Sequence, residues 1–165
     1  MKTNIFIAPL LFFILGCNSQ NNNKLTLKQE EQIKNKAMEA LSGYGQKWTS
    51  LDTAGIFQYY SPEMHAVSGK SLIDYQTYKK LWGVYISGLD SINVETIYGD
   101  FIVLAQDVAI SAWIGKVELL MKSGDKITTN PQCYTDILKK TDGKWKIVYE
   151  QSSGIPVTQK AAEKK

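Results

Sequence analysis

The chain has 165 residues, a formal net charge of +3 and 44% hydrophobic residues, which suffices for one folded domain with its own core. All 19 basic residues are lysines. Without arginine the chain lacks the rigid fork that grips phosphates and guanine bases, which argues against nucleic-acid recognition. It has one histidine and two cysteines, too few for the common zinc arrangements, so we expect neither a metal nor a cofactor.

The first segment has the features of an export signal. Lys2 precedes an apolar run over 5–15, which is too short to span a bilayer and has the length of a signal-peptide core. The run closes with Ile14-Leu15-Gly16-Cys17, which resembles the lipobox of bacterial lipoproteins. This resemblance implies cleavage before Cys17 and lipid modification of its thiol. We therefore predict a signal peptide over 1–16 and a lipidated, flexible tether over 17–26.

The tether sequence also bears on location. Residues 18–23 form a polar, low-complexity stretch that cannot bury a core. An acylated cysteine anchors a domain at a membrane without a spanning helix. Asn18 differs from the aspartate that retains many lipoproteins at the inner membrane. The sequence predicts a domain anchored in the cell envelope outside the cytoplasm, on the periplasmic side of the outer membrane where a cell has two membranes.

The first predicted helix spans residues 27–49. Thr26 and Gln29 form a capping-box pattern at its start. Apolar residues then recur at helical spacing: Ile33, Ala37, Leu41, Tyr44 and Trp48.

Two short elements and a third helix follow. Asp52 caps a second helix that Ser61-Pro62 ends, and a short strand is expected over 63–67 before a turn at Ser68-Gly69-Lys70. Ser71 with Asp74 repeats the capping-box pattern and predicts a helix over 71–87, with Gly88 as its stop. One face of that helix carries Tyr75, Tyr78, Trp82 and Tyr85.

The second half of the chain predicts consecutive strands. Turn sequences at Tyr98-Gly99-Asp100, Ser123-Gly124-Asp125 and Thr141-Asp142-Gly143 separate strands over 91–98, 101–120, 126–139 and 144–152. Consecutive hairpins form an antiparallel sheet. Helices followed by a meander predict an α+β domain with three N-terminal helices on one face of a curved sheet.

The order of elements and the closing hairpin resemble nuclear transport factor two-like domains, in particular the SnoaL-like and calcium/calmodulin-kinase-association-like branch. The similar C-terminal stretch is Tyr134–Ser153, and its most specific part is Asp142-Gly143-Lys144-Trp145-Lys146-Ile147. The similar N-terminal residues are Trp48, Leu51-Asp52, Phe57 and Tyr60-Ser61-Pro62. The resemblance covers residues 27–156 and leaves 157–165 as a lysine-rich, disordered tail. It implies a cone-shaped half barrel with a pocket between sheet and helices, and frequent homodimers through the sheet.

Members of that superfamily include isomerases, cyclases and dehydratases as well as binding and scaffold proteins, so the fold does not fix the activity. The ketosteroid isomerase branch uses an aspartate base with a tyrosine and a protonated acid as hydrogen-bond donors. Tyr44 or Trp48 would offer a donor from the first helix. The weak catalytic candidates are His65, Asp107 and Asp136. For Asp107 and Asp136 a solvated position on a strand is the stronger interpretation, and for His65 a packed or half-exposed one.

Aromatic residues are the most suggestive feature, because an apolar cavity with a few hydroxyls is typical of ligand sites. The candidate ligand-binding residues are Trp48, Phe57, Tyr60, Tyr78, Trp82, Trp113 and Tyr134. Without a recognisable acid–base pair, the sequence favours a non-catalytic domain that binds a small apolar or aromatic molecule. A dimerisation or scaffold module ranks second, and an isomerase, cyclase or dehydratase with an Asp or His base ranks third. For the individual aromatic residues, a place in the core or at a dimer face is the alternative.

Overall fold

The computed structural model describes residues 24–68 and 71–161. The predicted signal peptide, Cys17, most of the tether, the turn residues Gly69 and Lys70, and residues 162–165 lie outside this part of the chain. In chain order the elements are α1 (Leu27–Thr49), α2 (Thr53–Phe57), β1 (Tyr60–Ser68), β2 (Ser71–Asp74), α3 (Tyr75–Ser87), β3 (Leu89–Ala105), β4 (Val108–Met121), β5 (Lys126–Thr141) and β6 (Lys144–Gln159).

The strands form one open, curved sheet in the order β2-β1-β6-β5-β4-β3. All neighbouring strands are antiparallel except β1 and β6, which are parallel. The predicted α+β cone is therefore confirmed, with one parallel pair added. No hairpin connects β1 to β6, so local turn sequences could not reveal that pairing.

The helices cover one face of the sheet. Helix α1 lies against β3 and β6, α3 lies against β1 and β2, and α2 contacts both helices. Helix α1 has the predicted bounds and the predicted capping box, in which the Gln29 amide donates to the Thr26 hydroxyl over 3.3 Å. The core between the layers contains Ala37, Ile56, Phe57, Met64, Leu138, Trp145 and Ile147.

The sheet bends at two β-bulges on the strands that flank β4. β3 has an extra residue between Thr96 and Tyr98, and β5 has an extra residue between Thr129 and Gln132 relative to both of its neighbours. The two bulges lie at the same level of the sheet, because Thr96 and Gln132 are both partners of Gly115. Bulges bend the strand that carries them, so two aligned bulges curve the sheet around the helices.

The third helix begins later than the capping-box pattern indicated. Residues 71–74 form β2, which pairs with β1, and Asp74 is the N-cap that accepts a hydrogen bond from the Thr77 amide over 2.8 Å. The strand pairing of Ser71 with Ser68 prevents Ser71 from capping a helix. Gly88 is the C-cap of α3, as predicted.

The predicted turn at Tyr98-Gly99-Asp100 is wrong, because these residues lie inside β3. The chain reverses instead at Gln106 and Asp107, between β3 and β4. The bulge beside Tyr98 explains the turn-like sequence within a continuous strand. The other two predicted turns are confirmed, with Gly124 and Gly143 at φ angles of 87° and 77°.

The C-terminal strand extends beyond the predicted domain boundary. Residues 157–159 were expected in a disordered tail, but they belong to β6 and pair with β5. Lys160 continues the contact through an ion pair of 3.0 Å with Asp125. Among the helices that the structure describes, none combines the length and apolar character needed to cross a membrane.

Candidate functional site

A cavity of about 1100 Å³ lies between the helices and the bent face of the sheet. Cavities that hold small molecules have volumes of about 300–1000 Å³, so this one is large enough for such a ligand. Its aromatic lining comes from both layers: Tyr44, Trp48, Tyr78, Trp82 and Tyr85 from the helices, and Phe101, Trp113 and Tyr134 from the sheet.

The rings form two walls. On the sheet, Trp113 and Tyr134 are cross-strand partners and stack with centroids 4.4 Å apart and an interplanar angle of 14°. On the helices, Trp82 lies edge to face with Trp48 and with Tyr85, each at 5.2 Å between centroids. Ring pairs of this kind are rigid and present apolar faces with polarisable electrons to a ligand.

Glu150 lies at one end of the cavity and accepts hydrogen bonds from three tyrosines. The Tyr60 hydroxyl donates to Oε2 over 2.6 Å, the Tyr44 hydroxyl donates to the same oxygen over 3.1 Å, and the Tyr78 hydroxyl donates to Oε1. The Tyr60 hydroxyl also lies 3.0 Å from that of Tyr78 and contacts that of Tyr44. Four elements, α1, β1, α3 and β6, therefore converge on one carboxyl group.

Asp136 lies beside Glu150, because the two residues are partners in the β5–β6 register. Asp136 is only 2% exposed and lines the cavity. Its Oδ1 atom is buried without a hydrogen-bond partner within the part of the chain that the structure describes. A buried polar atom without a partner is costly, so a hydrogen-bond donor that reached this carboxyl group would be stabilising.

The two carboxyl groups differ in their surroundings and hence in their protonation. Burial raises the pKa of Asp136 well above its ordinary value, and the nearby charge of Glu150 raises it further. Burial also raises the pKa of Glu150, but the hydrogen bonds from Tyr60, Tyr78 and Tyr44 oppose that rise. The tyrosine hydrogen bonds thus favour the ionised form of Glu150, whereas burial and the neighbouring charge favour the protonated form of Asp136.

The tyrosines around Glu150 remain hydrogen-bond donors at neutral pH. Burial, followed by the charge of Glu150, raises the pKa of Tyr44, Tyr60 and Tyr78 well above the ordinary tyrosine value. The site thus combines two buried carboxyl groups, of which Asp136 favours its protonated form, with neutral hydroxyls, a set that can bind a polar group or transfer a proton. Within the described ranges, no three His, Cys, Asp or Glu residues are grouped to hold a metal ion.

The structure separates the aromatic residues predicted from sequence into two groups. Trp48, Tyr78, Trp82, Trp113 and Tyr134 line the cavity. Phe57 is 5% exposed and packs in the core, and Tyr60 is 3% exposed and lies behind Glu150, so neither lines the cavity.

The three catalytic candidates lie in three different environments. His65 is exposed on β1 and does not line the cavity. Asp107 is exposed in the turn between β3 and β4, rather than on the strand face shared with Trp113. Asp136 lies in the cavity, and the interpretation of a solvated position for it is wrong, because the sheet and Glu150 enclose it.

Glu150 was not among the predicted site residues. The buried residues Trp145 and Ile147 set an alternation that places Tyr149 inside and Glu150 outside. A register shift pairs Leu138 with Ile147 and Ile137 with Tyr149, and the extra residue in β6 moves Glu150 to the inner face. Tyr44, suggested with Trp48 as a donor to a ligand, donates to Glu150 instead.

Comparisons with known proteins bear on the whole domain. A family model described as a SnoaL-like domain matches residues 38–158. No curated protein matches the chain. A solved structure of a proposed scytalone dehydratase from Novosphingobium aromaticivorans is similar, with a TM-score of 0.70 and 10% identity, over 84% of this chain and 94% of that chain.

Two further solved structures are similar. A proposed ketosteroid isomerase from Shewanella frigidimarina has a TM-score of 0.61 and 16% identity, over 73% of this chain and 97% of that one. A proposed calcium/calmodulin-dependent protein kinase II association domain from Xanthomonas campestris has a TM-score of 0.61 and 20% identity, over 72% and 85% of the two chains. At such identities the similarity shows the fold alone.

Proposed function

The chain belongs to the SnoaL-like domain family, and we propose that its cavity binds a small molecule with an apolar or aromatic body and one polar end. The observation that carries this proposal is the cavity of about 1100 Å³ itself, whose lining includes the two aromatic walls and Asp136. The Oδ1 atom of Asp136 is buried without a hydrogen-bond partner among the described residues. A polar end would pair with this carboxyl group, and the body would lie between the two aromatic walls. Both contacts favour a ligand, because they satisfy a buried polar atom and cover apolar surface.

The neutral dye N-phenyl-1-naphthylamine tests whether the cavity accepts an apolar aromatic body, because its fluorescence rises in apolar surroundings. We expect saturable binding of one dye per chain. Trp113→Ala removes half of the stacked pair on the sheet and should weaken binding by about tenfold, the effect of losing one well-packed aromatic contact.

Tyr149→Ala is the matched control, because Tyr149 is an aromatic residue of the same sheet outside the cavity lining. This variant should bind the dye like the original protein. A dye signal that is absent, or that Trp113→Ala and Tyr149→Ala reduce equally, would contradict the proposal.

We also propose that the domain is held at a membrane by a lipid on Cys17, outside the cytoplasm. The support is the apolar run over 5–15 followed by Gly16-Cys17 and a polar tether.

Metabolic labelling of a bacterial host with an alkyne-bearing fatty acid tests this lipid anchor. Cys17→Ala should abolish the label and release the protein from membranes, whereas Cys133→Ala, at the other cysteine of the chain, should do neither. Label that survives Cys17→Ala would refute the anchor.

An acid–base enzyme of the isomerase, cyclase or dehydratase type is the second candidate. Asp136 favours it, because this carboxyl lines the cavity and burial raises its pKa well above the ordinary value. Similar folds occur in proteins named as a dehydratase and an isomerase. Mass spectrometry of a bound ligand after incubation separates the two candidates, because a binding protein returns its ligand unchanged and an enzyme does not.

A dimerisation module is the third candidate. Alternation along β3 and β4 places three exposed apolar side chains on the outer face of the sheet, away from the cavity. Ile102, Leu104 and Ile114 are 49%, 57% and 39% exposed. A second copy of the chain would cover this face, and a fold similar to a protein named as an association domain agrees with such assembly.

A further inference from the structure

We infer that the polar end of the ligand is a positively charged nitrogen, and that Asp136, Glu150 and the surrounding rings form a site for an organic cation. This inference rests on the proposed small-molecule function and adds the chemical class of the ligand.

The charged groups of the cavity lining favour a cation. Asp100, Asp136 and Glu150 are acidic, and Lys34 is the one basic residue among the described residues of the lining. Neither Asp136 nor Glu150 forms an ion pair within residues 24–68 and 71–161, where the recorded ion pairs all lie elsewhere. The two buried carboxyl groups therefore have no cationic partner from this part of the chain.

The pair of carboxyl groups also disfavours the opposite ligand chemistry. A single protonated acid can donate to a carbonyl oxygen or to a developing oxyanion. Here the acid of Asp136 has Glu150 as its cross-strand neighbour, and the hydrogen bonds from Tyr60 and Tyr78 favour the ionised form of Glu150. Negative charge on a ligand oxygen would be repelled in this low-dielectric site, whereas positive charge would be attracted.

The aromatic walls supply the second contact that a cation uses. Cations bind over the faces of aromatic rings, most strongly over tryptophan. Trp48, Trp82 and Trp113 all line the cavity, and the fourth tryptophan, Trp145, lies in the core. The rings would thus surround the nitrogen and its carbon substituents while the Asp136 carboxyl group, which lines the cavity, accepts from an N–H group or contacts a quaternary centre.

Proton release follows from this arrangement. Burial favours the protonated form of Asp136 in the empty site, and positive charge beside it favours the ionised form, so we expect binding to break the Asp136 O–H bond and to pass the proton to the buffer. The carboxylate then pairs with the ammonium group, and no other covalent bond changes. A neutral ligand bound through the protonated acid would release no proton.

Three probes with closely matched aromatic bodies test the inference at pH 7: the cation 2-phenylethylamine, the neutral 2-phenylethanol and the anion phenylacetate. Each competes with N-phenyl-1-naphthylamine for the purified chain. We expect the amine to displace the dye at about tenfold lower concentration than the alcohol, and phenylacetate to be the weakest. Calorimetry in two buffers of different ionisation enthalpy should show proton release with the amine alone.

Two variants test whether the preference for the amine and the proton release depend on Asp136. Asp136→Asn should remove both the preference for the amine and the proton release, and the exposed Asp107→Asn should retain both. If Asp136→Asn fails to fold, the concentrations at which the amine and the alcohol displace the dye from the original protein test the inference. Displacement by the alcohol at equal or lower concentration, or amine binding without proton release, would overturn the inference and leave the proposed function intact. A dye that does not bind at all would refute both.

Discussion

Asp136 and Glu150 are adjacent on the sheet but have different hydrogen-bond partners. Glu150 accepts from three tyrosines, and Asp136 has an oxygen without a partner among the described residues. Burial favours the protonated form of both groups, and the tyrosine hydrogen bonds favour the ionised form of Glu150 alone. Their separate roles depend on single side chains, which can be tested one at a time.

Replacing Asp136 by asparagine should stabilise the protein at high pH. Because burial raises the pKa of Asp136 above its ordinary value of 3.8, the folded state binds the proton more tightly than the unfolded state. The tighter proton binding stabilises the folded state fully below the ordinary pKa of the unfolded chain. This stabilisation is lost as the pH rises through the raised pKa of the folded state. The amide of an asparagine cannot ionise. We expect Asp136→Asn to raise the free energy of unfolding by about 1–3 kcal/mol at pH 8, because each tenfold difference in proton affinity between the folded and unfolded states corresponds to about 1.4 kcal/mol.

The gain should shrink toward pH 4, where Asp136 is protonated in the folded state and partly protonated in the unfolded state. Denaturant unfolding at pH 4, 6 and 8 measures it. Asp107→Asn is the matched control, because Asp107 is exposed in a turn. A pH-independent effect of Asp136→Asn would show that its carboxyl group is not the titrating group.

Tyr60→Phe should destabilise the fold by removing a donor to Glu150. The lost hydrogen bond is 2.6 Å long and buried, and bonds to charged groups contribute about 1.5–3 kcal/mol. The loss should be larger at pH 8 than at pH 4, because the ionised form of Glu150 needs the donor most. Tyr98→Phe, at a tyrosine that is 62% exposed, should change the free energy of unfolding little. Equal effects of the two substitutions would contradict the role of Tyr60.

At this scale the sequence predicted aromatic side chains better than acidic ones. Trp48, Trp82 and Trp113 were predicted site residues, and they line the cavity, because periodicity assigns large side chains to an inner face. The burial of Glu150 could not be predicted, since it depends on a register shift in β6 that leaves no local signal.

Among the elements, the curvature of the sheet has a local cause in the glycine of β4. A side chain on Gly115 would collide with the backbone carbonyl of Glu95 and with the ring of Trp113. Gly115 also lies between the bulges of β3 and β5, where Thr96 and Gln132 are its partners. The bend that makes room for the cavity therefore requires a residue without a side chain at this point.

Gly115→Ala should lower the free energy of unfolding by about 1–3 kcal/mol, the usual cost of overpacking. Gly83→Ala is the matched comparison, because no atom lies within 4 Å of the added carbon and Gly83 is inside helix α3. That substitution should instead stabilise by up to about 1 kcal/mol, through the higher helix propensity of alanine. Thermal unfolding of both variants measures the difference, and a stabilising Gly115→Ala would show that the bend does not need glycine.

Elements with strong local signals were predicted with accurate bounds, and those that depend on partners were not. Helix α1 has both a capping box and a periodic apolar face, and its ends are as predicted. Strand β2 was predicted as the first turn of α3, because Ser71 and Asp74 have the spacing of a capping box. Pairing with β1 overrides that local preference.

For the whole molecule, the exposed apolar face of the sheet predicts self-association. Ile102→Lys places a charge among Leu104 and Ile114, and burying an unpaired charge is costly. We expect the original protein to sediment as a dimer and Ile102→Lys to weaken the dimer by more than about tenfold.

Leu72→Lys is the matched control, because Leu72 is 64% exposed on β2, at the other edge of the sheet. It should sediment like the original protein. A monomeric original protein would exclude the dimer, and it would leave the proposed ligand site unaffected, because that site lies on the opposite face of the sheet.

The sequence alone determined the α+β class, the order of helices and meander, and the aromatic character of the interior, because these follow from local periodicity and turn chemistry. Only the tertiary structure decided that the interior is hollow and that Asp136 and Glu150 meet within it. The bulges that bend the sheet and the parallel pairing of β1 with β6 act between residues far apart in the chain. Such contacts are set by packing of the whole fold, which no local pattern encodes.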